Sequence, residues 1–238
     1  GSGENDLMLI VCGSATSWIT KKIFSNKGGL FNRDTERIFL EPFTLKEAEE
    51  FLDKKQILLP RKDIAECYMI MGGIPYYLDK MEKGMSLSQN IDNIFFKKRC
   101  KLWDEFSRLY ESLFDKPEQH LKIVKAMHSK KSGLTRKEIA EATGLPENGR
   151  LTQTLQELED CGFISSSKNW MKSKKDCIYR LCDFYTLFYY DFIKDNYGED
   201  DNFWSDRIDN PAHRTGTGLS FELLCLSHIQ QIKNKLGI

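Results

Sequence analysis

Thr135-Arg136-Lys137-Glu138-Ile139-Ala140-Glu141-Ala142-Thr143-Gly144-Leu145-Pro146 carries the signals of a helix start and a turn in the middle of this chain. Thr135 with Glu138 three residues on is a capping box, in which each side chain satisfies a backbone N–H that the first helical turn leaves without a partner. It opens a short helix through Ala142, and Gly144-Leu145-Pro146 then reads as a turn. Upstream, His120 to Ser129 has the spacing of an amphipathic helix. Downstream, Leu151, Leu155 and Leu158 recur at helical spacing until Gly162.

After that third helix, Phe163-Ile164 and Ile178-Tyr179-Arg180-Leu181 read as paired strands. The loop between them carries Lys168, Lys172, Lys174 and Lys175. Helix, helix, turn, helix, then two strands around a basic loop is the winged-helix order. Between Lys116 and Arg180 thirteen bases face eight acids, a mildly positive balance that permits contact with double-stranded DNA. The candidate contact residues are Arg150, Thr152, Gln153 and Gln156 on the third helix, together with the four loop lysines.

On the N-terminal side, Leu7 to Cys12 is a continuous apolar run closed by Gly13-Ser14, the pattern of a strand buried on both faces of a parallel sheet. Such a strand needs neighbours, so the chain reads as part of a longer protein. Ala15 to Ser25 is expected to be helical, and Arg37 to Leu40 to be a short strand stopped before Pro42. Thr44 with Glu47 is a second capping box, and helical spacing continues to about Phe114. Gly72-Gly73 separates two of these helices, with Pro75 in the first turn of the next. Past residue 182 come an aromatic helix from Phe184 to Ile193, an acidic loop from Gly198 to Asn210, and a last helix from about Leu219 to Leu236.

Acids and bases balance at 35 each, so the chain is not a bulk polyanion binder, and any nucleic-acid surface must be local. Its seven cysteines are odd in number and widely spaced, which reads as reduced thiols in a cytoplasmic protein. The early apolar run is too short to cross a bilayer, and no membrane partner is expected. There is no Gly-x-x-x-x-Gly-Lys-Ser/Thr phosphate cradle. Thr215-Gly216-Thr217-Gly218 follows no strand and reads as a flexible joint. Four scattered histidines make neither a nucleophile–base pair nor a metal spacing.

Three stretches form an ordered set: Leu7 to Cys12 followed by Gly13-Ser14-Ala15-Thr16-Ser17-Trp18; Leu30-Phe31-Asn32-Arg33 ahead of Leu40-Glu41-Pro42-Phe43; and Gly72-Gly73-Ile74-Pro75-Tyr76-Tyr77-Leu78. In this order they resemble the second half of an archaeal-type ATPase domain of the P-loop AAA+/STAND-like group, over residues 7 to about 115. The resemblance implies a sensor 1 hydroxyl at Ser14, or at Ser17; Ser14 would serve equally as the cap of the following helix. It implies an arginine finger at Arg33, whose alternative is a surface ion pair with Asp34 or Glu36. It further implies a lid motif near the nucleotide at Gly72, Gly73 and Pro75, whose alternative is a plain turn between helices.

The tail from Gly218 to Cys225, running on to Ile238, is similar to the start of a PD-(D/E)XK-like nuclease domain that closes this family. Glu222 matches the acidic residue of its opening helix, which in active relatives helps hold a divalent metal. Alone it makes no metal site, and the other reading is a charge at a helix N-terminus.

The expectation is therefore a mainly α chain, α+β overall. It would comprise the end of an α/β P-loop ATPase core (1–43), a helical lid (44–115), a winged helix (116–183), and a connecting helix with the start of the nuclease-like domain (184–238). ATP and Mg would belong to the parent protein, with none held tightly by this portion. Double-stranded DNA and a second copy of the chain are the candidate partners. The alternatives are a non-catalytic winged-helix DNA-binding regulator and a protein-interaction or structural module.

Overall fold

The computed structural model describes residues 10, 12–13, 35–36, 38–168, 177–207 and 211–238, and for 168 and 211–217 the backbone alone. Ser14, Ser17, Arg33, the expected helix at Ala15 to Ser25 and most of the strand at Leu7 to Cys12 lie outside these residues. The short strand expected at Arg37 to Leu40 is not formed at 38–40, where Ile38, Phe39 and Leu40 are 77%, 73% and 91% exposed. A strand exists through its ladder, and none of the described residues pairs with this segment.

Regular structure begins at α1 (Leu45–Lys54). The Thr44 hydroxyl accepts the Glu47 N–H, and the Glu47 carboxylate accepts the Thr44 N–H at 2.7 Å, so the expected capping box is in place. Those bonds hold the Glu47 carboxyl below its ordinary pKa. Ala48 and Leu52 turn inward. The next helix, α2 (Arg61–Met71), is central, and in its second half Cys67 through Met71 are all buried. It is gripped by α1 on one side and by two C-terminal helices on the other. Gly72 stops it at φ 62°, a left-handed conformation that favours glycine, and Pro75 then opens α3 (Pro75–Leu78). Beyond it, α4 (Leu87–Ile91) runs into a π-helical turn, Asp92–Phe96, whose wider winding lets Ile94, Phe95 and Phe96 all face inward. The last helix of this group, α5 (Glu105–Leu113), buries Phe106 and Tyr110.

A second group follows: α6 (Glu118–Ser129), β1 (Leu134–Thr135), α7 (Arg136–Thr143), α8 (Gly149–Asp160), β2 (Ile164–Lys168) and β3 (Cys177–Leu181). The strands form an antiparallel sheet in the order β1-β3-β2, with Leu134 opposite Tyr179 and Ile164 opposite Leu181. The capping box at Thr135 and Glu138 is formed as expected. The Lys130 ammonium, together with the Thr135 N–H and hydroxyl, brings the Glu138 carboxyl down to about 2. Ile123, Val124, Met127, Ile139, Leu151, Leu155, Leu158 and Phe163 close the core of this group.

The chain then turns back onto α2 through α9 (Phe184–Phe188), which runs into a second π-helical turn (Tyr189–Ile193), and through α10 (Pro211–Ser227), against which α11 (Ile229–Leu236) packs. Trp204 is 2% exposed, parallel to Phe96 and edge-on to Phe188 and Phe192. Packing of this kind is worth about 3–5 kcal/mol for a buried tryptophan.

Two expectations about the tail are corrected. Thr215 to Gly218 is not a joint but lies inside α10, because the roughly 1 kcal/mol by which each glycine disfavours a helix is smaller than what the packing of α10 on α2 contributes. The single helix expected from Leu219 to Leu236 is broken at His228.

Candidate functional site

The exposed face of α8 is the first place to look for chemistry. Asn148 caps the helix, its side-chain oxygen accepting the N–H groups of Arg150 at 3.0 Å and Leu151 at 3.3 Å. Leu151, Thr154, Leu155 and Leu158 are buried, and the period of 3.6 turns Arg150, Thr152, Gln153 and Gln156 outward. The structure thus brings the four residues expected on this helix onto one open surface. Gln153 donates to Glu157 at 2.8 Å and Gln156 to Asp160 at 2.8 Å, so each amide already holds a carboxylate one turn on.

The helix carries one base, Arg150, and three acids, Glu157, Glu159 and Asp160. Two of these acids are bound inward, Glu157 to His120 at 3.0 Å and Glu159 to the Ser166 N–H at 3.0 Å. The positive end is therefore the N-terminal one, where Arg150 and the helix dipole coincide. Arg136, which sequence reasoning did not single out, donates to the Asn148 carbonyl at 2.8 Å and fixes the turn into α8. Only the third-dimensional meeting of α7 with that turn reveals it. Lys168 closes β2 opposite Cys177, at the end of the hairpin. Lys172, Lys174 and Lys175 lie outside the described residues.

Of Gly72, Gly73 and Pro75, it is Gly73 that meets a second stretch of interest. The Phe43 N–H donates to the Gly73 carbonyl at 2.7 Å, and the Tyr68 hydroxyl donates to the Phe43 carbonyl at 2.6 Å. Phe184 stands edge-on to Tyr68, 3.6 Å from where a β-carbon on Gly72 would be. Leu45 N–H, at the start of α1, donates to His228 Nε2 at 2.8 Å, which fixes that nitrogen as unprotonated. Residues 43, 45, 68, 72–73, 184 and 228 are thus linked into one junction.

Glu222 is exposed in the interior of α10, well past its first turn, so the reading as a helix N-terminal charge is corrected. No group of three or more His, Cys, Asp or Glu suited to a metal occurs among the described residues. A small cavity lined by Glu66, Asp191, Ser220 and Trp204 holds about 20 Å³, room for about one water. Burial and the neighbouring Asp63 raise the Glu66 carboxyl there, against a hydrogen bond from Trp204. The thiols of Cys67 and Cys182 are pushed up to about 12 by burial, and that of Cys100 to about 11, which makes them unreactive rather than nucleophilic. Among the described residues, no helix is long and apolar enough to cross a membrane.

In sequence the chain is similar to an uncharacterized protein of Methanocaldococcus jannaschii, 29% identical over 196 residues, or 79% of this chain and 41% of that protein. The match thus covers about two-fifths of the relative's length. No family model and no solved structure matches the chain.

Proposed function

We propose that this chain is the lid and winged-helix portion of an ATP-driven protein of the AAA+/STAND-like type, and that it contacts double-stranded DNA through α8 and the loop between β2 and β3. The observation that carries the DNA reading is the outward row Arg150, Thr152, Gln153 and Gln156 on a helix capped at Asn148 and seated on a three-stranded sheet. Helix, strand, helix, helix and hairpin is the order in which winged helices present a recognition helix. The ATPase reading draws support from the Phe43–Gly73 contact, which joins two of the three stretches on which the family resemblance rests. ATP and Mg would be held by other segments of the parent, with Arg33 and Ser14 serving that nucleotide and Gly72, Gly73 and Pro75 near it. Glu222 alone holds no metal.

The test is fluorescence anisotropy with labelled duplex DNA across a salt series. Binding that weakens steeply with salt, and that falls at least tenfold when Lys172, Lys174 and Lys175 become glutamate, is expected; each lost phosphate contact also flattens the salt slope by about one unit. No binding at low salt sinks the DNA reading. For the parent, Arg33→Ala should abolish ATP turnover while leaving nucleotide binding in place.

A second reading, an interaction module, rests on α11. Ile229, Ile232 and Leu236 share one face at helical spacing and are 46%, 36% and 67% exposed. Concentration-dependent self-association, lost on Ile232→Glu, would mark it as a homo-oligomer contact.

A further inference from the structure

Two segments far apart in sequence are tied together on the surface of the first helical group. Lys101 donates through Nζ to the Lys80 carbonyl at 2.8 Å, and the Tyr77 hydroxyl donates to Glu105 at 2.9 Å. Each of the two segments so joined carries an open aromatic ring, Tyr76 at 51% and Trp103 at 59% exposure. Tryptophan is usually well buried, so a ring this open is unsatisfied surface. The Lys80 ammonium lies 4.2 Å over the Tyr76 ring.

Lys97, Lys98, Arg99 and Lys101 put four cations into five residues, with the buried Cys100 as the anchor between them. Among the described residues, neither Lys98 nor Arg99 is in an ion pair. Four of the acids nearby already hold a partner. Asp79 holds Lys55 at 2.7 Å, Asp104 holds Arg108 at 2.6 Å, Glu82 holds Lys101, and Asp201 accepts the Lys98 N–H at 3.3 Å. Arg99 sits at φ 60°, a conformation disfavoured for a residue with a β-carbon, and is held there by its N–H bond to the Tyr197 hydroxyl at 3.0 Å. The turn is thus fixed by the rest of the fold with its cations outward.

We infer that this surface binds single-stranded nucleic acid, with Tyr76 and Trp103 stacking on bases and Lys80, Lys98 and Arg99 meeting phosphates. Cations alone would suit any polyanion. Open aromatic faces beside them suit a strand whose bases are unstacked and free, which a duplex does not offer. This surface is separate from α8, and its function does not depend on the duplex reading.

The experiment titrates the full chain with labelled oligothymidylate of about twenty nucleotides at about 50 mM salt, following anisotropy and tryptophan fluorescence. Binding with quenching is expected, weakened about tenfold by Trp103→Ala and further by Lys98→Glu with Arg99→Glu. Trp103 is exposed, so its loss should leave the urea midpoint unchanged, and that measurement is made alongside. Arg150→Glu should leave single-strand affinity as it was while weakening duplex binding, which keeps the two readings apart. No binding overturns the inference. So does binding that Trp103→Ala leaves intact and that heparin or duplex DNA matches, because charge alone would then account for it.

Discussion

The Gly73 carbonyl accepts the Phe43 N–H at 2.7 Å, and a β-carbon on Gly73 would stand 1.9 Å from the Phe43 carbonyl oxygen. That oxygen is itself held by Tyr68 at 2.6 Å, so it cannot yield without breaking a second bond. Two backbones therefore touch where a side chain would separate them.

Gly73→Ala is expected to destabilise the chain by about 3 kcal/mol or more, since backbone rather than a flexible side chain must move. Gly149→Ala, with open space around it, is the control and should change stability by less than about 1 kcal/mol. Urea midpoints of the two variants make the comparison.

Asp92 joins the first helical group to the C-terminal part. It is 2% exposed, and its carboxylate accepts the Trp204 N–H at 2.7 Å and the Ser205 N–H at 3.1 Å. Asp92→Ala removes the acceptor of both backbone donors and of the Ser205 hydroxyl, which also donates to it, and should cost about 3 kcal/mol. Asp92→Asn retains one acceptor oxygen and should cost less. Hydrogen exchange should show the residues around Trp204 opening first in the alanine variant.

His120 gives the fold a sensitivity to mild acid. Its ring stacks on Phe114 at 3.8 Å, with Nε2 3.0 Å from Glu157. Burial pushes its pKa below the ordinary 6.5, and the Glu157 hydrogen bond opposes this in part. The unfolded chain therefore takes up a proton at a higher pH than the folded one. The contribution is complete above about pH 6.5 and is lost as the pH falls below it. Unfolding midpoints at about pH 7.5 and pH 5.5 should fall with acid in the wild type and less steeply in His120→Gln.

Asp191, in the second π-helical turn, fastens α6 to the body of the molecule. His128 Nε2 lies 2.7 Å from one carboxylate oxygen, and Lys131 reaches both at 3.1 Å. Burial alone would raise this carboxyl, but His128 and Lys131 more than offset it and hold it below its ordinary value. Its contribution is therefore present above that ordinary value and lost as the pH falls through the lower folded one. Asp191→Asn should loosen α6 at neutral pH, read as faster amide exchange in 118–129 with the rest of the three-stranded group unchanged. Equal exchange in wild type and variant would show that apolar contacts alone hold α6.

What the sequence determined by itself was local. Thr44 with Glu47 and Thr135 with Glu138 announce helix starts because both partners of a capping box lie within four residues. The row Arg150, Thr152, Gln153 and Gln156 was readable because helical periodicity sorts inward from outward residues without reference to the rest of the chain. Ile38-Phe39-Leu40 has strand composition but no ladder among the described residues, and composition cannot supply a partner. Glycine spacing misplaced Thr215 to Gly218, because a propensity of about 1 kcal/mol yields to packing. Only the folded chain shows that Phe43 lies on Gly73, that Asp92 caps a turn 112 residues away, and that the segments carrying Tyr76 and Trp103 are tied together through Lys101 and Lys80. These are contacts between segments distant in sequence. They form only once burial of the common core has fixed the helices against one another, and no local preference encodes them.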